Sequence, residues 1–138
     1  MADNENRPTE QTTMGTLGNI LWVVIGGGLP LFFGYLIAGA VLAITIVGFP
    51  FAVATWRLGR YALLPFNCRV EDRKESLGSG CFGMLFNVLW LVLFGWGFAL
   101  AHLGSALVCA VTIIGIPFAV AHLKLAMLAF WPFGKKIV

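Results

Sequence analysis

Few residues in this chain could carry acid–base or nucleophilic chemistry, and their positions disfavour catalysis. All six acidic residues lie either among the first thirteen residues or in the middle segment 67–80, so the two long apolar blocks contain no carboxylate. Paired carboxylates, carboxylate-oriented histidines and carboxylate metal sites are therefore excluded from those blocks. We expect that the chain is not an enzyme and has no catalytic residue.

The three cysteines, Cys68, Cys81 and Cys109, are the remaining candidates for nucleophilic or metal chemistry. Their number is odd and no two of them form a C-x-x-C pair, which argues against a disulfide framework and a zinc site. A cysteine nucleophile would also need a base in an accessible, electropositive pocket. The pattern predicts unpaired thiols, with neither a metal site nor a cofactor.

His102 is the only readily titratable side chain within the predicted membrane spans. An ionisable residue inside a membrane span indicates a function by default, and one hypothesis is that His102 relays protons. No acidic partner is available, and Tyr35 stands at the equivalent position of the other half of the chain. Both facts favour a helix-turn or aromatic contact. His122, two residues before Lys124, is predicted to contact lipid headgroups.

Asn19 and Asn87 are two further polar residues in apolar surroundings, and each precedes a tryptophan by three positions. Such amides usually hydrogen-bond to a neighbouring helix, which is worth about 0.6–2 kcal/mol in membranes, or they cap a helix. The alternative is that they line a polar path, as His102 would. Spacing alone leaves both interpretations open.

The composition indicates that lipid rather than water surrounds most of the chain. Hydrophobic residues make up 59% of it and charged residues 11%, whereas a soluble domain has about 25% charged residues. No Asp, Glu, Lys or Arg occurs in residues 14–56 or 76–123. Because about 20 apolar residues cross a hydrocarbon core, each block is long enough for two crossings.

The two apolar blocks are copies of one module. Residues 45–54 (TIVGFPFAVA) align without gaps with residues 112–121 (TIIGIPFAVA), and 19–22 (NILW) align with 87–90 (NVLW) after a one-residue shift. Shared hydrophobicity alone would not place Asn, Trp, Thr, Gly and Pro in one order, so this is a duplication. The predicted segments are a disordered tail (1–13), membrane repeat one (14–66), a polar cytoplasmic loop (67–80) and membrane repeat two (81–138).

Glycine and proline divide each repeat into three predicted helices. The segments Gly26–Pro30 and Gly95–Gly97 carry helix-breaking residues, since Gly costs about 1 kcal/mol and Pro about 3 kcal/mol in a helix. The Gly-x-Pro elements at 48–50 and 115–117 then predict the start of a third helix. The predicted fold is an all-α integral membrane protein of two parallel repeats. Each repeat is a transmembrane or re-entrant helical hairpin, followed by a short interfacial helix after Gly-x-Pro.

Cations flank the apolar blocks and predict the orientation of the chain. Short loops rich in Lys and Arg stay cytoplasmic, so the middle loop and the C-terminus are both expected inside. Each repeat then crosses an even number of times, and the N-terminus is cytoplasmic as well. Anionic lipid at the cytoplasmic face is the expected partner rather than nucleic acid. The predicted interfacial cations are Arg57, Arg60, Lys124, Lys135 and Lys136.

Small side chains recur every four residues along the second helix of repeat two. This small-residue stripe consists of Gly97, Ala101, Ser105 and Cys109. Hydrophobic burial drives little association between helices in lipid, so close approach of small residues replaces it. The stripe is predicted either to pack the two repeats together or to form an interface with a second copy or another membrane protein.

Two hypotheses about function follow from these features. The first is a membrane component that acts by assembling with itself or with other membrane proteins, which the stripe and the lack of catalytic groups favour. The second is a small channel or transporter for an anion or a lipid-like molecule, which the duplication, the helix breaks and the positive cytoplasmic rim favour. Two hairpins enclose little polar volume, which weighs against the second hypothesis.

Three short elements occur in both repeats, namely Asn-x-x-Trp, Gly-x-Pro-Phe and Pro-Phe. Through them the chain resembles the YccF-type inner membrane component domain family, in two tandem copies covering about residues 17–137. The resemblance is strongest in repeat two, because in repeat one Gly26–Gly28 replace a Phe-Gly-Trp element and Tyr35 replaces a histidine. It implies a multi-pass protein of a bacterial inner membrane or a eukaryotic plasma membrane. It implies no substrate, reaction or cofactor.

Overall fold

The structure of the protein, a computed structural model, describes residues 7–72 and 80–137, with side chains from residue 13 onward. The described chain is largely helical, as predicted, with one small two-stranded ribbon. In chain order its elements are α1 (Arg7–Val24), α2 (Gly28–Ala43), α3 (Phe49–Leu63), a 3-10 turn (Pro65–Asn67), β1 (Val70–Asp72), α4 (Gly80–Trp90), a π-helical segment (Leu91–Gly95), α5 (Trp96–Ala110), α6 (Ile116–Phe130) and β2 (Lys135–Ile137).

Two predicted segments differ from these elements at their edges. Helix α1 includes residues 7–13, which were predicted as part of a disordered tail. Residues 1–6 of that tail lie outside the described residues. Residues 73–79 of the predicted polar loop also lie outside them, while the loop residues 70–72 form β1.

In repeat one the predicted break after the first helix is confirmed. Helices α1 and α2 are bent by 73° relative to each other. Gly27, between them, has a φ of +83°, a left-handed conformation that glycine adopts without the steric penalty of a Cβ atom. The break redirects the chain but does not return it, so it is a bend rather than the turn of a hairpin.

In repeat two the predicted break at Gly95–Gly97 is wrong. Helix α4, the π-helical segment and α5 form one helix of 31 residues. Gly95 has right-handed helical angles (φ −60°, ψ −40°). A Cβ atom at Gly95 would lie 2.8 Å from the Trp90 indole nitrogen, so this glycine makes room for the indole and does not end the helix.

The third helices begin where the Gly-x-Pro elements predict, and their interfacial position stays a prediction. Both α3 and α6 have 15 residues, and each buries eight of them. Each packs antiparallel along the preceding helix, α2 or α5. Alanines on the buried faces of α3 and α6 permit this close approach. The hairpin of each repeat is therefore formed by its second and third helices.

The turns between these helices have the same structure in both repeats. The Thr45 hydroxyl accepts a hydrogen bond from the Gly48 amide (3.0 Å) and donates one to the Leu42 carbonyl (3.1 Å). The hydroxyl of Thr112 makes the two corresponding bonds at 3.0 and 3.3 Å. One threonine thus closes each turn. We call the two turns the hairpin tips, residues 44–48 and 111–115.

A short antiparallel ribbon of β1 and β2 joins the middle of the chain to its C-terminal end. Ion pairs across the ribbon link Lys135 to Asp72 and Lys136 to Glu71. No pattern in the sequence predicted these strands. The ribbon brings the ends of the two repeats to the same end of the molecule, which is the arrangement that parallel repeats require.

Replacing Gly115 by alanine tests the geometry of the second hairpin tip. A Cβ atom there would lie 2.0 Å from the Cys109 carbonyl oxygen, which belongs to the backbone and cannot rotate away. We expect the unfolding free energy in detergent to fall by about 2 kcal/mol or more. Gly104→Ala is the control, because a Cβ atom there meets no described atom within 4 Å and alanine favours a helix by about 1 kcal/mol. Equal stability of the two variants would contradict this turn geometry.

Candidate functional site

The Asn-x-x-Trp element of repeat two forms a clamp on the end of α6. The Asn87 side chain accepts a hydrogen bond from the Phe133 amide (2.9 Å) and donates one to the Phe133 carbonyl (3.0 Å). The Trp90 indole donates to the Ala129 carbonyl (2.6 Å). The last carbonyls of a helix have no partner within the helix, so this Asn–Trp clamp caps α6 and holds the turn that follows it.

Repeat one has the same Asn–Trp clamp. Asn19 accepts a hydrogen bond from the Phe66 amide (3.0 Å), and the Trp22 indole donates to the Ala62 carbonyl (2.7 Å). The asparagine and tryptophan side chains of both clamps are buried. The contacts of the two asparagines are therefore structural hydrogen bonds, which leave little of either side chain to line a polar path.

A chain of hydrogen bonds crosses the interface between the repeats, and we call it the tyrosine–histidine chain. The Tyr35 hydroxyl on α2 lies 2.7 Å from Nε2 of His102 on α5. Nδ1 of His102 lies 3.2 Å from Nδ1 of His122 on α6. Nε2 of His122 lies 3.2 Å from the Gly26 carbonyl, next to the bend of repeat one. All three side chains are buried, so the network lies wholly inside the protein.

The direction of each hydrogen bond in this chain follows from its last acceptor. A carbonyl can only accept, so His122 donates from Nε2 to Gly26. A neutral His122 then accepts at Nδ1 from His102, which accepts at Nε2 from the Tyr35 hydroxyl. For two neutral imidazoles, this assignment gives every nitrogen and oxygen of the tyrosine–histidine chain a partner. The terminal carbonyl cannot pass a proton on, which favours a structural link over a proton path.

These contacts correct one expectation and agree with another. His122 is 1% exposed and bonds to the backbone of repeat one, so the predicted headgroup contact is wrong. His102 stacks on Tyr35, with ring centroids 5.9 Å apart, which agrees with the predicted aromatic contact. The alignment of the repeats contained a signal for this pair, because equivalent positions of two parallel copies meet at the axis that relates them.

The small-residue stripe on α5 is only partly covered by the rest of the chain. Gly97 and Ala101 are exposed, and Ser105 and Cys109 are half-buried. Cys109 packs against the hydrophobic core, so packing within the chain, one of the two roles expected for the stripe, involves this end of it. A contact with a second polypeptide stays a prediction. The residues of α5 that are buried inside the chain are Ala99, His102 and Ala106.

A cavity of about 680 Å³ lies beside the C-terminal ends of α3 and α6, and we call it the cation groove. Its positively charged lining comes from Arg69, Lys124 and Lys135. Its apolar lining includes Met127 and Trp131. Cations next to an apolar wall match an anionic lipid, whose phosphate needs positive charge and whose acyl carbons need apolar contact.

The other predicted interfacial cations lie near the cation groove. Arg57 and Arg60 line a second cavity of about 220 Å³. Arg57 also donates a hydrogen bond to the Lys135 carbonyl in the ribbon. Lys136 pairs with Glu71 at 3.4 Å. The cations thus gather around the ribbon, at one end of the molecule.

The described residues offer little for metal or covalent chemistry. Among them, no group of three or more His, Cys, Asp and Glu side chains could hold a metal ion. The three cysteines are free thiols. Both histidines already use their ring nitrogens within the tyrosine–histidine chain. The polar groups of the described interior are therefore committed to holding the helices together.

Residues 17–67 and 85–135 each match the family model of the YccF inner membrane component domain. The two matches together cover most of the chain. The chain belongs to the YccF family. Each match starts in the first helix of a repeat and ends just after the Pro-Phe turn that the Asn–Trp clamp holds. One YccF domain therefore corresponds to one structural repeat.

Two relatives within the YccF family were found among characterised sequences. The chain is 32% identical over 133 residues to inner membrane protein YccF of Escherichia coli (strain K12), and equally to that of Shigella flexneri. Each match covers 91% of this chain and 88% of the relative. No solved structure matches the chain. These similarities support a bacterial inner membrane location and assign no activity.

Replacing Tyr35 by phenylalanine tests the tyrosine–histidine chain of this YccF-family protein. The variant keeps the ring but leaves Nε2 of His102 buried without its donor, which costs about 1–3 kcal/mol of unfolding free energy. Thermal or denaturant unfolding in detergent measures the loss. Tyr61→Phe is the control, because in the described part of the chain the Tyr61 hydroxyl makes no hydrogen bond, and its effect should stay within about 0.5 kcal/mol. If the two variants were equally stable, the tyrosine–histidine chain of hydrogen bonds would not stabilise the protein.

Proposed function

We propose that this protein is a non-enzymatic membrane component that acts by assembling with a second copy of itself through the small-residue stripe of α5. The observation that carries the proposal is that the stripe lies at the surface of a helix apolar and long enough to lie in a membrane. Its members Gly97 and Ala101 are exposed and leave this part of the face open to another helix. A different membrane protein is the other candidate partner for the same face.

The exposed glycines of α5 leave its backbone uncovered by side chains, so another helix can approach it closely. A Cβ atom at Gly97 or Gly104 would meet no described atom within 4 Å. Both glycines lie on the face of α5 that carries Ala101. In lipid, helices associate through close van der Waals contact between small residues rather than through the hydrophobic effect. An exposed face of this kind therefore suits a helix–helix interface.

The state of the reactive groups supports a role without catalysis. His102 and His122 are buried and bond to each other within the tyrosine–histidine chain. Glu71 and Asp72 pair with lysines in the ribbon. General acid–base catalysis needs a titratable group within reach of a substrate, and buried histidines that bond to each other do not meet that requirement.

Disulfide cross-linking in membranes tests the proposed interface. In a chain whose native cysteines are replaced by alanine, Ala101→Cys is expected to form a covalent dimer on mild oxidation, because the stripe brings two copies of α5 together. Leu107→Cys, on a different exposed face of the same helix, is the matched control and should remain monomeric. Cross-linking of neither variant, or of both equally, would reject a specific contact at the stripe.

A channel or transporter for an anion or a lipid-like molecule is the second candidate function. The cation groove favours the lipid-like ligand, since it combines positive charge with an apolar wall. The side chains expected to form a polar path, Asn19, Asn87 and His102, instead bond within the protein. We therefore propose anionic membrane lipid as a ligand of the groove, and transport as the less supported role.

Neutralising the cation groove tests lipid binding. Arg69→Gln combined with Lys124→Gln removes two charges, each worth about 1 kcal/mol towards an anionic membrane lipid. We expect retention of phosphatidylglycerol by the detergent-purified protein to fall by about 10- to 30-fold, with phosphatidylcholine unaffected. Lys136→Gln is the control, because Lys136 pairs with Glu71 across the ribbon. Unchanged phosphatidylglycerol retention in the double variant would exclude the groove as the binding site.

We also propose that both termini lie on the cytoplasmic side of the membrane. The ribbon joins the segment between the repeats to the C-terminal end, and the positive-inside rule places a cation-rich end in the cytoplasm. Each repeat leaves this end along its first two helices and returns along its third. The predicted multi-pass topology requires, in addition, that the hairpin tips reach the opposite membrane surface.

A further inference from the structure

We infer that the two hairpins enter the membrane from the cytoplasmic side and end inside its hydrocarbon core, so that neither hairpin tip reaches the periplasmic surface. The inference rests on the proposed cytoplasmic position of the cations and adds the depth of insertion. Three properties of the hairpin tips carry it: their composition, their internal hydrogen bonds and their distance from the nearest cations.

The hairpin tips are exposed, apolar and uncharged in both repeats. Ile46 is 96% exposed and Ile113 is 87% exposed. The residues beside them are valine, isoleucine, threonine and glycine. A connection that faces water is usually rich in polar and turn-forming residues, and exposed branched aliphatic side chains in water are unfavourable. Both tips have the composition of a segment surrounded by lipid.

The polar groups of each tip are paired within the turn itself. The hydroxyls of Thr45 and Thr112 each bridge an amide and a carbonyl of their own turn. Further backbone bonds join residues three apart across both tips. Unpaired backbone groups are what makes an irregular segment unfavourable in hydrocarbon. The threonine closure lowers that cost, and it occurs identically in both repeats.

The nearest cations limit how deep the tips can lie. Arg57 and Lys124 stand at equivalent positions, each eight residues after the start of its helix, α3 or α6. Eight residues measure about 12 Å along a helix axis. Arg57 also donates a hydrogen bond to Lys135 in the charged ribbon, which holds this level of α3 at the polar end of the molecule. The tips therefore lie about 12 Å, plus the height of one turn, beyond the cations.

This depth is smaller than the thickness of the membrane. The hydrocarbon core is about 30 Å thick, whereas the tips lie about 12 Å plus one turn of about 5 Å beyond the cations. Snorkelling lets a cationic side chain reach back towards the surface and adds only its own length. A tip at the periplasmic surface would pull Arg57, Lys124 and the ribbon into hydrocarbon, where charged groups are unfavourable. We therefore place the tips near the middle of the bilayer.

The long helix of repeat two is compatible with this depth when it is tilted. Its 31 residues measure about 46 Å, which exceeds the hydrocarbon core by about 16 Å, so it tilts in any arrangement. Its α5 part ends at the hairpin tip, while Asn87 in its α4 part bonds to the end of α6 at the cationic side. The α4 part therefore lies beside the end of α6, away from the tip. Helix α1 is bent by 73° from α2, and its Asn19 likewise bonds to the turn after α3.

Single cysteines at the tips test the depth of insertion in the full-length protein. Ile46→Cys and Ile113→Cys are made in a chain whose native cysteines are replaced by alanine. Both positions are so exposed that the changes remove no internal packing. We expect neither cysteine to react with a membrane-impermeant maleimide, in spheroplasts or in inverted inner membrane vesicles. A bimane label attached in detergent before reconstitution should be quenched most by lipids whose nitroxide lies near the end of the acyl chain.

Lys136→Cys in the ribbon is the matched control for side and reactivity. It should react in inverted vesicles and not in spheroplasts. Labelling of either tip in spheroplasts would overturn the inference, because the tip would then reach the periplasm. Strongest quenching by nitroxides near the headgroup would overturn it as well.

The controls separate this inference from the proposals on which it rests. Labelling of Lys136→Cys in spheroplasts would refute the cytoplasmic orientation, whereas the quenching profile would still report the depth of the tips. The cross-linking of Ala101→Cys depends on neither result. A monomeric protein with mid-bilayer tips would therefore reject the proposed assembly and retain the re-entrant hairpins.

Discussion

The Asn–Trp clamp is the contact on which the rest of the structure depends. Without it, the first helix of each repeat would lose its hydrogen bonds to the end of the third helix. The clamp joins the first helix to the last turn of the third, through the only polar atom of Trp22 or Trp90 and the amide of the neighbouring asparagine. The carbonyls it binds are those that a helix end leaves unpaired, and in surroundings with little water such groups are costly. The clamp therefore satisfies a requirement of the backbone and sets the position of the first helix.

The tyrosine–histidine chain joins the two closed repeats, and it depends on their having diverged. Tyr35 and His102 occupy equivalent positions, and they supply one donor and one acceptor to the same bond. His122 occupies the position of Thr55, whose hydroxyl in repeat one bonds only to the Phe51 carbonyl of its own helix. The longer side chain of His122 reaches the other repeat. Two substitutions in a duplicated module thus produce a directional network that ends on the backbone.

The predictable parts of this fold are those set by local backbone chemistry. Gly-x-Pro marks the starts of α3 and α6 because proline fits the first turn of a helix, and the glycine run marks the bend at Gly27. Gly95 was misinterpreted because a glycine can end a helix or make room for an indole, and its neighbours do not distinguish the two. The burial of His122 depends on Gly26, which is 96 residues away. The ribbon likewise pairs Asp72 with Lys135, which are 63 residues apart, and no local pattern encodes such a contact.

The interior and the surface of the protein have different consequences for function. The buried polar side chains are used in the Asn–Trp clamps, in the tyrosine–histidine chain and in bonds within helices, so activity is expected from the surface. Two surface features of the described residues suit an external partner, namely the exposed part of the α5 stripe and the cation groove. In the proposed arrangement, hairpins that stop near the bilayer centre would displace lipid mainly from the cytoplasmic leaflet, and the groove would face the headgroups of that leaflet. Binding of anionic lipid and insertion of the hairpins would then both act on the cytoplasmic leaflet. A dimer formed through α5 would place the inserted hairpins of two copies side by side.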